Sequence, residues 1–172
     1  MSVTIQDYRR TDLRMDVSGD PFWIVSKVVD GHEVSGLKGK ACVLFSFPVA
    51  GQQIIIREVV VKITRAFTVG TTLELGTYTL ATDSVETGGV ATAEHDDAYI
   101  EVADITPTIV GYYYPTTGDF ADARGSGVTV GGSNLIVGAS TSVPAVVLTP
   151  KISTIIIGQA QVLMLVCIVP GS

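Results

Sequence analysis

The chain holds two imidazoles, His32 and His95, and they are the natural starting point for acid–base chemistry near neutral pH. His95 stands in the run Glu94-His95-Asp96-Asp97, with Glu101 and Asp104 close behind, a set of hard oxygen donors of the kind that suits a divalent cation. The run lacks the D-x-[DN]-x-[DN]-G spacing of a calcium loop and precedes an apolar stretch, Tyr99 to Val102, that reads as a strand. The expectation is a solvated acidic loop without a metal. A hydrolytic triad built on His95 would need a positioned nucleophile, and no G-x-S-x-G elbow is present. Gly125-x-Gly127-x-x-x-Gly131 misses the spacing of a phosphate-binding loop and reads as turn glycines. Cys42 and Cys167 lie in apolar stretches with no C-x-x-C pair, which predicts buried free thiols; a disulfide requires that their strands be neighbours. The residue types therefore predict no catalytic residue, no cofactor and no metal.

Residues suited to recognition are easier to find. Tyr112, Tyr113 and Tyr114 precede Pro115, and because alternate side chains of a strand point opposite ways, three contiguous rings cannot all enter one core. At least one must face outward, where tyrosine favours a subunit contact; a sugar-binding platform is the other use of such rings. Near the start, Tyr8, Arg9, Arg10 and Arg14 sit in a polar stretch of mixed charge, and the arginines are suited to bidentate contacts with carboxylates on a partner. Residues 1–20 show no sustained apolar period, so they are expected to form an extended arm, ordered only where a partner holds it.

The elements that must position these residues are strands. Phe22 to Val29, Cys42 to Val49 and Ile56 to Phe67 are rich in β-branched and aromatic residues. In the last, Val59, Val61, Ile63 and Phe67 share one parity, while Glu58, Lys62 and Thr64 share the other. Glycine then punctuates the chain at intervals of about eight to twelve residues, the spacing of short strands in a sandwich or barrel. At most a short helical turn is expected near Asp119 to Arg124. The prediction is one all-β domain over 21–172, a β-sandwich or jelly-roll-like barrel, preceded by the arm.

Composition restricts the partners. Apolar residues make up 47% and charged residues 16% of the 172, against about 25% charged in ordinary soluble domains. The net charge of −6 repels phosphate backbones, so nucleic acid is not an expected partner. The longest apolar run, Val162 to Val169, is far short of the roughly 20 residues of a helical membrane span, and no membrane is expected either. The first sixteen residues show no apolar signal core, which points to synthesis in a reducing cytoplasm. From Ser126 to Ser172 the one charged side chain is Lys151. Ile152 to Ile157 and Val162 to Val169 are apolar at both parities, so each strand should be covered on both faces. Four exposed Val or Ile side chains forgo about 6 to 12 kcal/mol, comparable with the net stability of a domain. A homo-oligomer is therefore expected, with Ile155, Ile157, Leu163 and Leu165 joining Tyr112, Tyr113 and Tyr114 at its interface.

Ile56 to Gly76 combines an alternating strand with Phe67-x-x-Gly70-Thr71-Thr72-Leu73-x-x-Gly76. Together with the Gly131-Gly132-Ser133-Asn134 turn and the closing strand that ends Ile168-Val169-Pro170, it resembles head decoration, or cement, proteins of tailed bacteriophages. The resemblance implies a trimer on the outer surface of the virion's head, made in the host cytoplasm, that clamps neighbouring copies of the major capsid protein. Tyr8, Arg9, Arg10 and Arg14 would then be the capsid-binding part of the arm. The alternatives are another virion part, such as a head fibre, tail fibre or baseplate piece touching host glycans, and a small β-barrel hydrolase or ion-binding module using His95, Asp96 and Asp97.

Overall fold

In a computed structural model of the chain, residues 2–6, 11–12, 21–31, 41–80, 90–100, 102–116, 135–151 and 157–169 are described. They form an all-β sandwich of two sheets. The first contains β1 (Ser2–Gln6), β2 (Thr11–Asp12), β5 (Ala41–Ser46), β7 (Thr72–Leu80), β8 (Val90–Ile100) and β11 (Val143–Lys151), in the order β1-β8-β7-β11-β5-β2. The second runs β10 (Leu135–Val137), β6 (Gln53–Arg65), β12 (Gln159–Val169), β3 (Phe22–Val25). Two short strands extend it, β4 (Val29–Asp30) on β12 and β9 (Gly111–Tyr113) on β6.

Between the sheets lies one core. Ile54, Ile56, Val59, Val61 and Ile63 enter it from β6, and Ala160, Val162, Met164, Val166 and Ile168 from β12. Cys42, Leu44 and Phe45 of β5, Leu73 and Leu75 of β7, and Val146 and Leu148 of β11 meet them from the first sheet. The alternation read in Ile56 to Phe67 is present, and Phe67 is buried just past the strand end. Two strands of the first sheet are covered on both sides. Val43, Ala145, Val147 and Thr149 point away from this core and are nevertheless buried. Because β1 pairs with both β8 and β5, the first sheet closes on itself, which leaves fewer open edges than a flat sheet has.

Several elements differ from the reading of the sequence. Of the expected arm, Ser2–Gln6 and Thr11–Asp12 are strands of the protein's own first sheet, both parallel to β5. Their pairing supplies from within the chain the backbone partners that were expected from outside. Tyr8, Arg9, Arg10 and Arg14 lie outside the described residues. The expected strand Phe22 to Val29 is broken at Ser26, because one extra residue must be absorbed between the pairs Val25↔Leu163 and Val29↔Ala160. Ser26 repairs the ladder there: its amide donates to the Val162 carbonyl (2.8 Å), and its hydroxyl accepts from the Val162 amide (2.9 Å).

The acidic run is a strand, not a loop. Glu94 to Asp97 belong to β8, whose pairs Thr77↔His95 and Leu75↔Ile100 leave Asp96, Asp97, Ala98 and Tyr99 opposite Gly76 alone. A wide bulge takes polar residues out of register without ending the strand. That strand stops at Ile100, and Val102–Asp104 form a 3-10 turn instead of extending it. The turn expected near Asp119 to Arg124 and the glycine run from Gly125 to Gly131 lie outside the described residues, as do residues 152–156.

Two glycines and one tyrosine carry predictions. Gly158 has φ 145°, and a Cβ there would sit 2.4–2.7 Å from the ring and Cα of Phe67, whereas Gly51 (φ 77°) has open space around it. Gly158→Ala should cost about 3 kcal/mol or more from clash plus backbone strain, and Gly51→Ala about 1 kcal/mol, as read by urea unfolding. Equal costs would show that the Phe67 contact is not tight. The Tyr99 phenol is wholly buried, and loss of hydration raises its pKa well above the ordinary 10.0. The folded chain keeps a proton that the unfolded chain releases, so the contribution is intact below pH 10.0 and is lost progressively above it. Tyr99→Phe should flatten the alkaline limb of a stability-versus-pH curve; an unchanged limb would assign it to other groups.

Candidate self-association face

The ladder between β6 and β12 fixes what the second sheet shows to solvent. It runs from Gln159↔Arg65 to Val169↔Gln53, with register shifts after Gln159 and at Leu165/Val166. The second shift leaves Arg57 unpaired between Glu58 and Ile56, and this extra residue keeps Ile56 and Val59 both in the core. On the outward parity β12 presents Gln161, Leu163, Leu165, Cys167 and Val169, and β6 presents Glu58, Val60 and Lys62.

Side chains from three strands form rows across this face. Leu163 stands between Val25 of β3 and Val60 of β6, and Leu165 between Trp23 and Glu58. Gln161 lies beside Lys62, which in turn is paired with Tyr112 of β9. The Lys62 ammonium sits 5.4 Å from the centre of the Tyr112 ring, a cation–π contact on the surface. Trp23 and Val25 are 48% and 47% exposed, whereas Val60, at the far end of its row, is buried at 6%. The result is a half-covered apolar strip with one basic and one acidic residue on it, on a sheet side that ordinarily carries polar residues.

The interface residues expected from the sequence do not all fall together. Leu163 and Leu165 lie in this strip, and Tyr112 lies at its border. Tyr114 is exposed just beyond β9. Tyr113 turns inward, packs against the core and brings its hydroxyl within donating distance of the Thr106 (2.8 Å) and Ile109 (2.9 Å) carbonyls. It is half-buried and anchors the loop that delivers β9. Thr116 closes the same loop, its amide donating to Asp104 Oδ1 (2.8 Å). Ile157 is exposed elsewhere, in the connection before β12, held by reciprocal bonds to Thr68: the Thr68 amide to the Ile157 carbonyl (2.9 Å) and the Ile157 amide to Thr68 Oγ1 (3.0 Å). Ile155 lies outside the described residues.

Trp23, Val25 and Val60 were not expected in this group. The signal was present: Trp23 and Val25 share a parity in a strand whose other parity, Ile24, is buried, and Val60 stands between Glu58 and Lys62 on the polar parity of β6. Their adjacency to Leu163 and Leu165 depends on strand order, which parity alone does not give.

Other chemistry is sparse among the described residues. Cys42 and Cys167 are free and buried; Cys42 points into the core and Cys167 away from it, so their strands do not bring the thiols together. No group of three His, Cys, Asp or Glu side chains that could hold a metal occurs among the described residues. No helix among them is long and apolar enough to cross a membrane. Comparison with protein-family models, curated proteins and solved structures found no match.

Met164 and Leu165 are adjacent, and one faces the core while the other faces the strip. Met164→Ala should therefore cost about 2–5 kcal/mol, and Leu165→Thr about 1 kcal/mol or less, when both are unfolded in urea at the same low concentration. A larger cost at Leu165 would mean that the outer parity is part of the monomer's core.

Proposed function

We propose that this chain is a structural subunit without catalytic function, one that self-associates through the outer face of its second sheet and is built into a larger assembly. The apolar strip of Trp23, Val25, Leu163 and Leu165, exposed on β3 and half-buried on β12, carries this reading. A monomer that left it wet would forgo the hydrophobic stabilisation gained by covering it, at about 25 cal/mol per Å² of apolar surface. Contiguous exposed apolar surface of this kind marks interaction sites.

The assembly proposed is the head of a tailed bacteriophage, with the chain as a decoration protein on the outer surface of the capsid, seated on the major capsid protein. The support is the sequence resemblance in Ile56 to Gly76 and in the closing strand, together with the all-β sandwich and the low charge of the final quarter. Three copies per unit is the arrangement that the resemblance implies. In such a role, area buried across seams between capsid subunits would oppose the pressure of packaged DNA, and contacts of about 1,200 to 2,000 Å² would serve. The expected result is that heads lacking the chain release their DNA at a lower temperature than heads carrying it, measured by dye access during a thermal ramp. Identical release temperatures would overturn the cementing role.

A further inference from the structure

We infer that the open edge of β3 pairs with the β3 of a second copy, antiparallel about a two-fold axis at Ile24, so that the second sheets of two copies join into one. β3 ends its sheet: β12 lies on one side, and no strand among the described residues lies on the other. The ladder to β12 decides which backbone groups face that open side. The Ser26 amide donates to the Val162 carbonyl, and antiparallel pairs alternate between bonded and non-bonded, so Met164↔Ile24 and Val166↔Phe22 are bonded pairs. Leu163↔Val25 and Leu165↔Trp23 are then non-bonded pairs, which turns the N–H and C=O groups of Trp23 and Val25 away from β12 and toward the open side. Phe22–Val25 carries none of the charges, prolines or glycines that ordinarily blunt an exposed edge.

The spacing of these groups identifies the occupant. Outward backbone groups on either side of Ile24 are self-complementary: with Ile24 on the axis, Trp23 of each copy exchanges both hydrogen bonds with Val25 of the other. The flanking residues fix that register. An axis at Trp23 would set Val25 against Pro21, which has no N–H to give. An axis at Val25 would set Trp23 against Lys27, beyond the break at Ser26, whose hydroxyl takes the place of its carbonyl toward Val162. With the axis at Ile24, Lys27 meets Pro21 and no like charges are opposed. The Ile24 side chain stays in its own core, so the pairing takes nothing out of either subunit. Trp23 and Val25, both about half exposed, come side by side across the seam as an aromatic and β-branched pair. Such a contact is isologous and closes after two copies, so an edge without charge needs no partner of other chemistry. It goes beyond the outer-face contact and does not rest on it, although it joins the two copies' strips of Leu163, Leu165, Trp23 and Val25 into one.

The test is disulfide formation between two different variants, with sedimentation equilibrium for association. Trp23 and the other copy's Val25 would form a bonded pair with Cα atoms about 5.5 Å apart, within disulfide reach. Trp23 and the other copy's Trp23, like the two Val25 residues, would be separated by about 7 Å along the strand and about 5 Å across it, beyond that reach. Under mild oxidation a mixture of Trp23→Cys and Val25→Cys chains should therefore give a linked dimer on a non-reducing gel, while either variant alone stays at 18.1 kDa. Val25→Pro removes only the outward N–H, so it should keep the wild-type circular dichroism melt and weaken association at least about tenfold. No link in the mixture, links as strong in either variant alone, or unchanged association of a folded Val25→Pro would each overturn the edge pairing. Leu165→Lys alters the outer face and leaves the edge backbone intact: association lost in that variant, with no link in the mixture, would overturn the edge pairing and leave the face contact standing. A wild type that is monomeric at micromolar concentration would overturn both and leave the edge to a strand of another protein.

Discussion

The ladder between β6 and β12 is the constraint on which the rest of the molecule depends. A strand offers two parities, and in β12 both are largely apolar: Ala160, Val162, Met164, Val166 and Ile168 on one, Leu163, Leu165, Cys167 and Val169 on the other. A two-layer sandwich covers only one face of each sheet with its core. Placing β12 in the interior of the sheet, between β6 on one side and β3 and β4 on the other, buries its backbone polar groups in ladders and its first parity in the core. Leu163 and Leu165 of the second parity are left half covered, and Trp23 and Val25 of β3 extend them toward the sheet edge.

The first sheet meets a similar demand by other means. Val43 of β5 and Ala145, Val147 and Thr149 of β11 point away from the core between the sheets and are still buried, in a sheet that closes through β1. Closure removes the need for an external partner there. The second sheet does not close, since β10 and β3 stand at its ends. The contrast places the half-covered apolar surface on one face of one sheet, not on the whole greasy final quarter of the chain.

Much of this was legible in the sequence because period-two patterning is a local signal. Val59, Val61 and Ile63 announce their common face without knowledge of any neighbour, and the absence of a 3.6-residue period agrees with an all-β fold. What depends on pairing was not legible. The bulge that carries Asp96 to Tyr99 past Gly76 turns an apparent loop into part of β8, and no local rule shows which residues a partner strand will skip. Residues Ser2–Gln6 look too polar to offset the entropy of their own ordering, yet backbone pairing with β5 and β8 does not require an apolar side chain. The tyrosine run is the mixed case. Parity correctly required its rings to divide between faces, but only the loop geometry shows that Tyr113 is the one turned inward, toward the Thr106 and Ile109 carbonyls.

Trp23 is the sole tryptophan and lies on the rim of the proposed contact, half exposed in the single subunit. Its fluorescence therefore reports directly on whether that face is covered. Acrylamide quenching should be weak at micromolar concentration and should strengthen, with a red shift in emission, on dilution toward the nanomolar range. Strong quenching that is independent of concentration would show that the face stays open to water and would contradict self-association through it.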